Sequence, residues 1–261
     1  MTGPGDGSAK PLAEQTAVVT GASSGIGRAI AVAFAAAGAR RIMVTYRQNR
    51  AGADETLARL RALGAEADAL PLDFEDDTSL PRFAAALRER SFRVHVWVNN
   101  AGADILTGSG RAPTREEKLD RVLKVDVRGT VLASWLAVDF LEQTPPGGVI
   151  LNLGWDHVGQ GMAGENPVIY SVAKGAIDAF SKSLARELAP KIRVNVLAPG
   201  FIDTAFAEGA PSSWRTQVER LTPLARWGRP EDVAAAAVYL ASDAAAFLTG
   251  QTIMVNGGVI M

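Results

Sequence analysis

Short apolar, β-branched runs alternate along the chain with longer stretches whose apolar positions recur at helical spacing. The runs at Thr16–Thr20, Arg41–Thr45, Ala67–Leu72, Val94–Asn99, Val149–Asn152, Arg193–Ala198 and Thr252–Val255 predict strands. Most are continuously apolar and do not alternate, as strands covered on both faces do. Alanine-rich amphipathic patterns between them predict helices at Ile26–Ala37, Ala53–Ala62, Ser79–Arg90, Arg115–Glu142, Ser171–Leu188 and Glu231–Ala241. Such alternation requires right-handed crossovers, so the expected fold class is α/β: a single doubly wound Rossmann domain with a seven-stranded parallel sheet flanked by helices.

Composition narrows the picture. A chain of 261 residues can bury a full core in one domain. Met1 to Lys10 is rich in Gly, Ser and Pro, so residues 1–13 are expected to be a flexible tail ahead of a domain spanning 14–261. No apolar run approaches the length of about 18 residues needed to cross a bilayer. A net charge of −1 offers no footprint for nucleic acid or acidic membranes. The absence of cysteine removes thiol nucleophiles, thiolate metal sites and disulfides, which fits a cytoplasmic protein, and no metal is expected.

Two local patterns carry chemistry. In the turn Thr20-Gly21-Ala22-Ser23-Ser24-Gly25-Ile26-Gly27, between the first strand and the first helix, the glycines allow a tight bend and close backbone approach to a pyrophosphate. The helix N-terminus beyond, with Arg28, is the expected phosphate site. An NAD site places an acid some 20 residues past the glycines. Here the second strand ends Tyr46-Arg47 without one, so Arg47, with help from Arg28, is expected to meet a 2′-phosphate and to select NADPH. The second pattern is Tyr170 and Lys174, one helical turn apart on a common face. An ammonium beside a phenol favours phenolate, which lowers the pKa of Tyr170 and equips it to exchange a proton with a carbonyl oxygen. Tyr-x-x-x-Lys alone is common by chance.

Further motifs appear in order: Asn99-Asn100-Ala101-Gly102, Pro199-Gly200-Phe201-Ile202-Asp203-Thr204, Pro230 to Val233, Thr249-Gly250-Gln251 and Gly257-Gly258. With these the chain, over residues 14–258, resembles the short-chain dehydrogenase/reductase family, especially its β-ketoacyl carrier-protein reductase-like members. The resemblance implies that Asp73 holds the adenine amino group, and that Asn99, Ala101 and Gly102 wall the adenine ribose. Lys174 would also bind the nicotinamide ribose. Pro199, Gly200, Ile202 and Thr204 would hold the nicotinamide carboxamide and diphosphate. It also implies a substrate lid at residues 201–229 and a homotetramer or homodimer.

The chain departs from the family twice. The usual serine after the fifth strand is missing: the segment reads Asn152-Leu153-Gly154-Trp155-Asp156-His157 and is slightly longer than usual before Tyr170. By distance from Tyr170, His157 takes the serine's place; by strand alignment, Asp156 does. The alternative is that Asp156 caps a turn and His157 faces solvent. The second departure is Val125-Asp126-Val127-Arg128-Gly129, where the family carries asparagine at the position of Asp126. Asp126 either supports the proton path by favouring protonated Lys174 or pairs with Arg128 or Lys124. Trp155, Met162, Phe201, Phe206, Trp214, Leu221, Leu224 and Trp227 are candidates for an apolar substrate pocket. The expected function is NADPH-dependent reduction of a hydrophobic, acyl or polyketide-like ketone, free or carrier-bound. A redox-neutral dehydration or isomerisation, or a non-catalytic NADP-binding role, are the alternatives.

Overall fold

The computed structural model of the chain describes residues 10–105, 110, 112–145, 147–208 and 211–261, apart from the side chains of 206 and 208. The strands are β1 (Thr16–Val19), β2 (Arg41–Tyr46), β3 (Glu66–Pro71), β4 (Val96–Asn99), β5 (Gly148–Leu153), β6 (Ile192–Pro199) and β7 (Thr252–Val255). They form one seven-stranded sheet in the order β3-β2-β1-β4-β5-β6-β7. Every pairing is parallel. Strand order reverses between β1 and β4, and in open parallel sheets the crevice beyond such a switch is where ligands bind.

Helices cover both faces. On one, α1 (Gly25–Ala36), α2 (Arg50–Ala62) and α9 (Pro230–Ala241) close a core that includes Ile30, Phe34, Leu60, Val233 and Leu240. On the other, α3 (Ser79–Glu89), α5 (Gly129–Leu141) and α6 (Glu165–Leu188) close a core around Phe83, Leu87, Trp97, Leu141 and Leu184. Strands buried on both sides explain why their sequences run continuously apolar.

Three differences from the sequence expectation bear on the site. The predicted helix Arg115–Glu142 is α4 (Arg115–Val122), a π-helical stretch Leu123–Arg128, and then α5. Wider π turns rotate the side chains they carry, and here the turn carries Asp126. Helix α6 starts at Glu165, not Ser171, so Tyr170 stands well inside it. Residues 201–229, where the resemblance implied a substrate lid, hold α7 (Ala205–Glu208) and α8 (Ser212–Leu221), which the sequence pattern did not predict.

The ordered chain also begins earlier than residue 14. Residues 1–9 of the expected tail lie outside the described residues. Leu12, assigned to that tail, is fully buried against the α1 side of the sheet, and its amide donates to Ala37. An apolar side chain of that size has more to gain from the core than a tail segment loses in entropy on being fixed. Among the described residues no helix is long and apolar enough to cross a membrane. Leu12→Ala is expected to cost about 2–5 kcal/mol of stability, read from urea denaturation midpoints.

Candidate active site

The glycine turn is built for an anion. Gly21 has φ +64°, and a Cβ there would lie 2.8 Å from the Ala101 Cα. A Cβ on Gly27 would lie 2.5 Å from the amide nitrogen of Asn100. Both glycines are therefore required by close backbone approach. Gly25, at φ +53°, meets nothing nearer than the Thr204 methyl at 3.7 Å, so the space over the start of α1 is open. Ser24 caps α1 without a side-chain hydrogen bond, and the first turn carries no acid. That leaves free N–H groups and the positive end of the helix dipole facing the open space. These residues fit a pyrophosphate.

Asn100 latches the turn: its side chain donates to the carbonyls of Thr20 (2.9 Å) and Gly21 (3.1 Å). Asn99 points the other way. Its buried amide joins Trp97, Ser134 and Asn152 beneath the site, so only its backbone is available to a ligand. Asp73 stands just beyond β3, with one oxygen accepting from the Glu75 amide.

The two arginines assigned to a 2′-phosphate differ. Arg28 is turned inward, donating to the carbonyls of Ser23 and Gly52 and to the Thr56 hydroxyl, and pairing with Glu55. Its guanidinium holds α1 against α2, which corrects the expectation that it assists phosphate binding. Arg47 is exposed at the end of β2 and pairs with Glu75 at 2.6 Å; Glu75 also pairs with Arg121. Tyr46, beside it, accepts from Arg50.

Behind the turn a cavity of about 430 Å³ opens, walled by Ile26, Met162, Phe201, Ile202 and Trp214 among others. Tyr170 and Lys174 line it together with Gly102, Trp155, Pro199, Gly200 and Thr204. The aromatic wall is continuous: Trp155 meets Tyr170 edge-on at 6.0 Å, and Phe201 meets Trp214 at 5.5 Å. The Phe206 side chain lies outside those described. Leu221 and Leu224 are exposed, while Trp227 is buried beneath Phe201 and Trp214, so none of these three walls the cavity.

The Lys174 ammonium is almost fully buried. It lies 3.0 Å from Asp126 Oδ1 and donates to the Leu153 carbonyl at 3.1 Å. Asp126, wholly buried, accepts from the Ala103 amide with its other oxygen at 2.8 Å. Arg128, the alternative partner for Asp126, pairs with Asp77 instead. Burial pulls the Lys174 pKa down, but Asp126 and Tyr170 outweigh it and the net shift is upward. For Tyr170, Lys174 is the largest influence and pulls the phenol down. Burial, Asp126 and Asp104 together outweigh it, so the phenol is raised above its ordinary value. The lysine thus lowers the tyrosine as expected, but burial first, and then the Asp126 and Asp104 carboxylates, reverse the net direction.

The family's serine pattern falls on Gly154 and Trp155; the first has no room for a side chain, and the second puts its indole on the cavity wall. A Cβ on Gly154 would lie 2.6 Å from a Val196 methyl. His157 does not take its place at the cavity. Its ring stacks on Trp155 (5.0 Å) and meets Phe201 edge-on (5.8 Å), and neither it nor Asp156 is among the lining residues. Asp156 is buried, with Oδ1 2.7 Å from His157 Nδ1 and Oδ2 facing Gly200 without a hydrogen-bond partner. The pair packs against Trp155 and Gly200 and, contrary to its expected place at the substrate oxygen, is not among the residues that line the cavity. Asn100, Glu75 and Asn166 are site residues that the sequence reading missed; only Asn100, inside a recognised motif, carried a signal.

A buried carboxylate removed from a buried ammonium leaves an uncompensated charge, so Asp126→Asn is expected to cost about 3–5 kcal/mol at neutral pH. Because the folded-state pKa of Lys174 is raised, the pair's contribution is fully present below the ordinary lysine value near 10.5 and fades above it. The gap between variant and wild type should shrink at high pH in denaturation curves.

Comparison with known proteins agrees with this layout. Residues 21–260 match the family described as enoyl-(acyl carrier protein) reductase. The chain is 35% identical to 3β-hydroxysteroid dehydrogenase 1 of Eggerthella lenta, covering 96% of this chain and 95% of that protein. It is 36% identical to 3-oxoacyl-[acyl-carrier-protein] reductase of Synechocystis, covering 96% and 98%. The solved structure of a double mutant of a Serratia marcescens short-chain dehydrogenase/reductase superposes with a TM-score of 0.85 at 30% identity, covering 95% of this chain and 99% of that one. With the glycine turn, the Tyr170–Lys174 face and the parallel sheet all in place, the chain belongs to the short-chain dehydrogenase/reductase family of oxidoreductases.

Proposed function

We propose that this protein is an NADPH-dependent ketone reductase in which Tyr170 gives the proton to the substrate oxygen. The observation that carries this reading is the placement of Tyr170 and the buried Lys174 on one cavity wall, between the open glycine turn and an apolar aromatic pocket. The bound cofactor supplies a hydride. The protein's own residues do the rest. Ser24 and the first turn of α1 offer N–H groups to the pyrophosphate; the backbone at Ala101 and Gly102 and the loop Pro199, Gly200, Ile202 and Thr204 shape the remainder of the cradle. Tyr170, its phenol kept protonated by a raised pKa, holds a proton ready at its hydroxyl for the carbonyl oxygen. Lys174 holds a fixed positive charge behind it, 5.3 Å from the ring centroid. The nearly continuous aromatic and aliphatic wall excludes water and favours an apolar ketone. By name, one relative is a dehydrogenase of a 3β-hydroxysteroid and another a reductase of a 3-oxoacyl group, so both names fit an alcohol–ketone interconversion on an apolar substrate.

Arg47 supports the preference for NADPH, since no acid stands at the end of β2 and a 2′-phosphate would displace Glu75 from it. Exposed Leu123, Trp135, Val168 and Val172, along the π turn, α5 and α6, support the reading of a homotetramer or homodimer.

Wild-type protein should oxidise NADPH in the presence of apolar ketones, with NADPH bound about tenfold or more tightly than NADH through the charge-assisted contact to Arg47. Tyr170→Phe should lower turnover by about 10²–10⁴-fold while leaving NADPH binding intact. Substrate conversion without change in nicotinamide absorbance would instead identify a redox-neutral enzyme.

A further inference from the structure

Resting on the reductase reading, we infer that Asn166 is the donor that binds and polarises the substrate carbonyl alongside Tyr170, in place of the absent serine hydroxyl. Asn166, Tyr170 and Lys174 follow one another at intervals of four along α6, so they share a face, and all three line the cavity. The side-chain oxygen of Asn166 is buried without a hydrogen-bond partner, and a half-turn of the amide about its last bond presents the N–H₂ to the same space. Buried polar groups are normally paired, and an amide left open on a cavity wall is a group kept for a ligand.

The other polar side chains around the cavity are engaged or stand elsewhere. Asn100 is spent on the glycine turn and Lys174 on Asp126 and the Leu153 carbonyl. Thr204 stands at the opposite, cofactor end, against Gly25. A side chain at Gly154 is excluded by Val196, and His157 is not among the lining residues. Besides the indoles of Trp155 and Trp214, the polar groups left on the wall are the phenol of Tyr170 and the amide of Asn166, one helical turn apart.

An amide N–H₂ donates without changing its protonation state, which suits an oxygen that gains negative charge as it is reduced. In the step proposed, hydride from the reduced nicotinamide adds to the carbonyl carbon and the C=O π pair moves to oxygen. The proton from the Tyr170 hydroxyl then completes the alcohol. Asn166 contributes a hydrogen bond that strengthens as charge develops and ends the cycle unchanged.

The test compares Asn166→Ala and Asn166→Asp with wild type in ketone-dependent NADPH oxidation at about pH 8, where an aspartate is ionised and only accepts. NADPH affinity is followed by nicotinamide fluorescence and integrity by thermal melting. Both variants should lose about 10²–10³-fold in kcat, the usual effect of deleting one oxyanion donor, with NADPH affinity and melting temperature near wild type. Asn166→Asp retaining wild-type kcat would overturn the inference and leave the reductase reading standing, since the side chain would then only fill space. Wild type that oxidises no NADPH with any ketone of the panel would overturn both.

Discussion

Lys174 brings its ammonium to a place where water barely reaches, and the Asp126 carboxylate makes that burial tolerable. An isolated buried charge costs several kcal/mol even after the protein relaxes around it, and a close, hydrogen-bonded counter-ion is what repays it. The geometry here meets that demand. Asp126 spends one oxygen on Lys174 and the other on the Ala103 amide, while Lys174 also reaches the end of β5 at Leu153. One ion pair thus ties the π turn, the loop after β4, the last residue of β5 and the middle of α6. The π-helical stretch is the local backbone feature that carries Asp126 into this position. Tyr170, four residues ahead of Lys174, is located by the same pair.

The pair also sets the electrostatics of the site. A neutral amide at residue 126 would leave Lys174 free to draw the phenol toward ionisation. Burial of the phenol, aided by a carboxylate there, outweighs the lysine and keeps the phenol protonated. This arrangement favours proton donation, the direction needed to reduce a ketone. Trp155, at one of the two positions where the family pattern carries serine, lines the cavity, and its ring stacks on His157, which is hydrogen-bonded to Asp156. The site has given up one small polar group and gained apolar wall, leaving Asn166 as the open amide beside Tyr170.

The fold was legible because its determinants are local and periodic. Continuous apolar runs such as Arg41–Thr45 and Arg193–Ala198 become central strands almost residue for residue. The glycine turn was equally readable, since Gly21 and Gly27 are demanded by backbone contacts that no other residue satisfies. The site was legible where a motif fixes both residue and direction, as for Tyr170, Lys174, Gly200 and Thr204. It was not legible where direction depends on packing. Nothing local to Asp156-His157 reveals that Trp155 will line the cavity while the imidazole does not. Nothing near Arg28 reveals that Ser23, Gly52 and Thr56 will absorb its donors. The six residues by which α6 extends ahead of Ser171 contain Asn166-Pro167 and look like loop, so the amide one turn before Tyr170 went unseen. Leu12 was hidden in the same way, as a single apolar residue at the end of a polar, glycine-rich segment.

The most direct test of the electrostatic account is the alkaline limb of the pH–rate profile in Asp126→Asn beside wild type, with a saturating ketone and NADPH. Asp126 raises the pKa values of both Tyr170 and Lys174, so its neutralisation should lower both. Reduction needs the phenol protonated, so activity should begin to fall at a lower pH in the variant. An alkaline limb that stays in place or moves to higher pH would contradict the claim that this carboxylate governs the proton donor.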